Sequence, residues 1–133
     1  MTLHPMSVAP PTLIADWARY AGLDLKSAGA ARQINVTFDR VRVQLLELPS
    51  QGILLESRIA DLPMSASEVD RVVQRALAAS TGRMRDSPVV LCANDDASAL
   101  LLQLQVSPGA DVLALNAAIE KLVNEVDVWR ALL

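Results

Sequence analysis

The chain has 133 residues, enough for one domain with a real core but with a large share of its side chains at the surface. A net charge of −3 and a pI near 5.0 leave no basic footprint for nucleic acid, and no apolar run reaches the roughly 18 residues that a membrane span needs. Apolar residues make up 52% and charged residues 20%, with a mean hydropathy of +0.30, which is more apolar surface than a small soluble monomer hides and points to a protein partner, either a second copy or a client.

Residues 1–11 carry three prolines and no apolar period, so they read as a flexible N-terminal arm ahead of a single domain over 12–133. No basic-plus-apolar leader of the secretory kind opens the sequence. A first helix is expected from Thr12, a good N-cap behind Pro10 and Pro11. Leu13, Ile14, Trp17 and Ala21 share one face, Tyr20 lies at its edge, and Gly22 marks the stop.

Ile34, Val36 and Phe38 alternate with Asn35 and Thr37 as a half-buried strand, and Asp39-Arg40 turns into a second strand over Val41–Leu48. Val41, Val43 and Leu45 face one way but Leu46 and Leu48 the other. Either a bulge gathers all five, or both faces of this strand are apolar. After the turn Pro49-Ser50-Gln51-Gly52, a third strand puts Ile53, Leu55, Ser57 and Ile59 on one face and Leu54, Glu56 and Arg58 on the other, ending at Leu62-Pro63.

Ser65 and Glu68 have capping-box spacing ahead of a second helix, whose Val69, Val72, Val73, Ala76 and Leu77 share a side; Gly82 and the stretch to Pro88 close it. Arg71, Arg75 and Arg83 read as its solvated face, since no aromatic or Gly-rich segment accompanies them. Val89–Ala93 and Ala99–Val106 are two further strands joined at Asn94-Asp95-Asp96, a hairpin turn that lacks the spaced oxygen ligands of a calcium loop. Ser107-Pro108 is expected to open a last helix with the stripe Val112, Leu115, Ile119, Leu122, Val126, Trp129 and Leu133.

Chemistry is not legible in this pattern. The single histidine, His4, lies in the arm, a poor place for a rigid base or metal ligand. No nucleophile elbow, phosphate loop, zinc-binding pair or C-x-x-C motif occurs. Cys92, the one cysteine, sits in an apolar run with no nearby His or Lys and reads as a small buried hydrophobe in a reducing compartment. No catalytic residue, cofactor site or metal site is therefore assigned.

The fold expected is α+β: a twisted, mostly antiparallel five-stranded sheet with three helices on one side, in the order α-β-β-β-α-β-β-α. That order, the size and the acidic pI resemble the class I type III secretion chaperones of the Tir chaperone (CesT-like) family. The segments that carry the likeness are Ile59-Ala60-Asp61-Leu62-Pro63, the hairpin over Val90–Leu104 and the closing Leu122–Leu133 with Trp129-Arg130-Ala131-Leu132. Two departures stand out: Ala76-Leu77-Ala78-Ala79-Ser80 ends the middle helix without the asparagine many members carry there, and the Asp95-Asp96 turn has no glycine.

The resemblance implies a homodimer in the bacterial cytoplasm, without enzymatic activity or cofactor, that holds the N-terminal region of a secreted effector extended and ready for export. It also offers the secretion ATPase as a further partner. Within that picture Leu13, Ile14, Trp17, Leu46, Leu48 and Leu54 are the expected client-binding residues. Val69, Val72, Val73 and Ala76, with Val89, Val90 and Leu91, are the expected dimer contact. The alternative left open by the residues is a small dimeric regulatory or ligand-binding module of the same fold class.

Overall fold

Thr12 starts the first helix by accepting the Ala15 backbone N–H on its hydroxyl at 3.0 Å, which satisfies one of the donors a helix start leaves open. The helix that follows, α1 (Leu13–Tyr20), ends where Gly22 takes φ +78° and the N–H groups of Ala21, Gly22 and Leu23 turn back onto the carbonyls of Trp17, Arg19 and Ala18. The computed structural model describes residues 12–23, 32–62, 65–83 and 88–133, the last five of the third stretch by backbone alone; the proline-containing arm and His4 lie outside the described residues.

Three strands form a meander: β1 (Gln33–Phe38), β2 (Val41–Leu48) and β3 (Gly52–Asp61). Then come α2 (Ala66–Arg83), β4 (Val90–Ala93), β5 (Ala99–Val106) and α3 (Val112–Leu132). The strands make one antiparallel sheet in the order β1-β2-β3-β5-β4, so β5 pairs with β3 in the middle and β1 and β4 are its edges. This is the expected element order and sheet.

β2 runs without a bulge. Leu45 pairs with Leu55 and Leu46 with Leu54, so successive residues face opposite sides and the strand is apolar on both. The irregularity falls in β3, between Arg58 and Ala60. Nearby, the buried Ser57 keeps its hydroxyl satisfied by donating to the Arg42 carbonyl at 2.7 Å.

α3 lies across β2, β3 and β5 and buries Leu115, Ile119, Leu122, Val126 and Trp129 against Val43, Leu45, Leu55, Leu102 and Leu104. At about 2 kcal/mol for each buried side chain, this stripe supplies on the order of 10 kcal/mol of gross apolar burial. The helix begins at Val112, later than the expected Ser107-Pro108 start. Asp111 is its N-cap and accepts the Ala114 N–H at 2.8 Å, while Ser107–Ala110 closes a turn of its own. α1 packs on α3, where the Trp17 indole N–H donates to Asn116 Oδ1 at 3.1 Å and its ring meets Phe38 edge-on at 6.2 Å. Ala21, expected on the packed face, is exposed as the C-cap.

Candidate functional site

The sheet has two unlike faces. One is covered by α1 and α3; the other can be followed row by row across the strands from their registers. Asn35, Gln44, Glu56, Gln103 and Val90 form one row, and Gln33, Leu46, Leu54 and Gln105 the next. Glu56, Gln103 and Gln105 are hydrogen-bonded. Gln103 donates to Glu56 Oε2 at 2.7 Å, and Gln105 donates to the Gln51 carbonyl at 2.8 Å. Leu46 and Leu54 stand directly opposite each other between two glutamines and are half-buried.

Leu48 extends this apolar strip to the end of β2, where an open groove of about 230 Å³ is lined by Leu13, Glu47, Leu48, Ser50, Gly52, Ile53, Ser107 and Pro108. That volume accepts one or two side chains and falls below the range of pockets that enclose a metabolite. The structure thus gathers Leu13, Leu46, Leu48 and Leu54 at one end of the molecule. Ile14 and Trp17 are placed differently: at 0% and 1% exposure they belong to the chain's own core and offer no surface to a client. The amphipathic pattern of α1 is spent on α3.

Glu47 was not among the residues picked out from sequence. Its Oε1 accepts from Arg32 Nη1 at 3.3 Å, but its Oε2 is buried at the groove with no hydrogen-bond partner among the described residues. A buried carboxylate oxygen without a donor is a costly arrangement that a docking N–H would relieve. Its signal in the sequence was faint: a lone acid between two leucines on a strand.

A second surface involves α2 and β4. Ala76 and Val89 are buried in the core, and Val72 packs against it. Val69 and Val73 are half-buried, and Leu77, one turn further on, is 58% exposed. Four-residue steps put Val69, Val73 and Leu77 on one stripe of the helix. Val90 on the edge strand is 48% exposed, and Leu91 half-buried. Of the residues expected at a dimer contact, Val69, Val73, Val90 and Leu91 thus have surface to offer, Leu77 joins them, and Ala76 and Val89 face inward.

Among the described residues no group of three or more His, Cys, Asp and Glu side chains is placed to hold a metal. Cys92 is half-buried on the open face of the sheet. Burial, and after it the charge of Glu56, pushes its thiol above the ordinary value, the reverse of what a nucleophile needs. Asp96 is spent on its turn: its carboxylate accepts the Ser98 N–H at 3.1 Å, and bonding to Ser98 holds it below the ordinary range. Asn94 closes the same turn by accepting from the N–H groups of Ser98 and Ala99.

Fold and surfaces together define a binding scaffold: a five-stranded sheet with one covered face and one partly apolar face, with β1 and β4 as its edges among the described residues. The model of the Tir chaperone protein (CesT) family matches residues 12–130, and the chain belongs to that family. Solved structures agree on the fold. A chain of the ExsC-ExsE complex superposes with a TM-score of 0.65 at 21% identity, covering 91% of this chain and 90% of that one. A chain of the heterodimeric ExoU-SpcU complex from the type III secretion system of Pseudomonas aeruginosa gives 0.65 at 23% identity, over 90% and 97%. A chain of the Yersinia pestis complex of the secretion chaperone SycH with a YscM2 fragment gives 0.60 at 16%, over 89% and 97%. No curated protein sequence matches the chain. Among the described residues no helix is long and apolar enough to cross a membrane.

Proposed function

We propose that the protein is a type III secretion chaperone that binds the N-terminal region of a secreted effector and keeps it extended for export. The observation that carries this reading is the Leu46–Leu54 pair, flanked by Gln33, Gln44, Glu56 and Gln105 on the open sheet face and continued by Leu48 to the groove at Leu13. An unfolded segment must offset its lost freedom by burying apolar side chains, and this strip is where it would do so. Glu56, Gln103 and Gln105 beside the strip already have hydrogen-bond partners and so resist a client less than open polar groups would. Family membership and likeness to chains from effector complexes support the same reading.

The chaperone acts by binding and not by catalysis, in the bacterial cytoplasm, as a homodimer. Val69, Val73 and Leu77 on α2, with Val90 and Leu91 on β4, are the contact between copies. That arrangement leaves the leucine strip of each copy open to the client.

The test is co-expression with a candidate effector followed by affinity capture. The Leu46→Glu/Leu54→Glu variant should lose at least tenfold of the captured effector while eluting at the wild-type size, since burying each leucine is worth about 1.5–3 kcal/mol. Full capture by this variant would show that the client binds elsewhere.

A further inference from the structure

Four of the chain's twelve basic side chains meet at one depression of about 300 Å³: Arg40, Arg42, Arg58 and Arg130, with Ile59, Ala60 and Asp61 completing the lining. They come from the β1–β2 turn, β2, β3 and the last turns of α3. In a protein of net charge −3 this is a local excess of positive charge. Arg130 is pinned, donating from Nη1 to the Arg40 carbonyl and from Nη2 to the Arg58 carbonyl, each at 3.0 Å. It can neither fold away nor be neutralised by those carbonyls. Asp61 is engaged by Arg58 Nε at 3.1 Å, and Asp96 also acts electrostatically with Arg58. Arg40 and Arg42 have no hydrogen bond or ion pair from their guanidinium groups among the described residues.

We propose that this depression is a carboxylate-binding site for an acidic stretch of a protein partner. Guanidinium forks match carboxylates with two parallel hydrogen bonds, so Arg40 and Arg42 would take one Asp or Glu side chain between them, with Arg130 fixed behind. Gathering like charges is unfavourable until an anion covers them. The depression shares Arg42 and Arg58 with a second one on the open sheet face, lined also by Asn35, Gln44, Glu56 and Asn94. An extended segment crossing that face thus reaches the arginines. Nucleic acid is the weaker occupant: the negative chain repels a polyanion at long range, and no aromatic side chain lines the depression for a base to stack on. The chaperone reading supplies the source of such a segment; the carboxylate site stands on the arginines alone.

The test uses the full chain and four probes: a fluorescent Glu/Ser peptide, its Gln/Ser counterpart, inorganic phosphate and a single-stranded oligonucleotide. At low salt the Glu peptide should bind, the Gln peptide should not, and physiological salt should weaken binding. Arg40→Gln/Arg42→Gln should lower affinity for the Glu peptide about tenfold, whereas Arg19→Gln/Arg71→Gln, which removes equal charge elsewhere, should leave it unchanged. Arg40→Lys/Arg42→Lys, which keeps the charge but not the fork, should fall between. Equal loss in the control pair, wild-type affinity in the Arg40/Arg42 variant, no binding of the Glu peptide, or tighter binding of phosphate or oligonucleotide would each overturn the proposal. Effector capture that persists while the peptide fails to bind would remove this site and leave the chaperone function standing.

Discussion

Glu47 shows how one side chain can hold stability against recognition. Among the described residues its Oε2 is buried beside Leu13, Leu48 and Ile53 without a donor, a polar atom they leave uncompensated at the groove. A client that brings an N–H or a basic side chain there recovers that cost on binding. Glu47→Gln should therefore leave thermal stability unchanged or slightly raised, while effector affinity falls about tenfold. Melting temperature and captured effector read the two effects separately, and parallel loss of both would mark Glu47 as merely structural. Residues of this kind are poorly legible in sequence, because whether an acid on a strand is solvated depends on what folds over it. The same holds for Ile14 and Trp17. Their helical spacing showed an apolar face truly enough, but spacing does not tell a face that meets α3 from one that waits for a partner.

At the scale of elements, the strands were the most legible. The bounds of β2 and β5 follow from alternation and from local turn chemistry at Asp39-Arg40 and Asn94-Asp95-Asp96, so they needed no knowledge of distant contacts. The α3 start was misplaced because proline and serine at 107–108 mimic a helix opening, whereas Asp111 holds the actual cap. Gly52 joins three elements at once. It takes φ +87° after the β2–β3 turn, and a Cβ there would run into the Val106 carbonyl oxygen at the end of β5, close to Ser107 and Pro108. Gly52→Ala should thus cost about 3 kcal/mol, from positive φ and collision together. Gly22→Ala, at φ +78° with open space around it, should cost about 1 kcal/mol for φ alone. Denaturant melts of the pair test this order, and equal costs would mean that the β5 carbonyl moves aside. Gly52 lies on the wall of the groove, so the same substitution also distorts the candidate client site.

On the scale of the whole molecule, part of the surplus of apolar residues surfaces at the leucine strip at the α1 end of the sheet and at the α2–β4 surface, while Tyr20, Leu113, Val128 and Leu132 are exposed outside both. Composition alone locates neither: Leu46 and Leu54, like α2 and β4, lie close in the chain, but which of their faces stays uncovered depends on where the other elements pack. The arginines of the basic depression, spread from position 40 to 130, are a still plainer case. Among the described side chains, the attachments of α2 to the rest of the fold include Val72, Ala76 and Arg75, whose Nη1 donates to the Leu133 carbonyl at 3.3 Å, and a second copy would reinforce them over Val69, Val73 and Leu77. Light scattering should accordingly find a dimer for the wild type and a monomer or aggregate for Val73→Glu. A stable wild-type monomer would contradict the contact assigned to α2.

Limited proteolysis of the chaperone–effector complex, with mass spectrometry of the surviving fragments, bears most directly on the central claim. One N-terminal effector segment should survive in the wild-type complex and be digested when Leu46→Glu/Leu54→Glu replaces the wild-type chaperone. Survival of a folded effector body instead, with its N-terminal region cut as fast as in the free protein, would contradict the claim that this sheet face guards an extended guest.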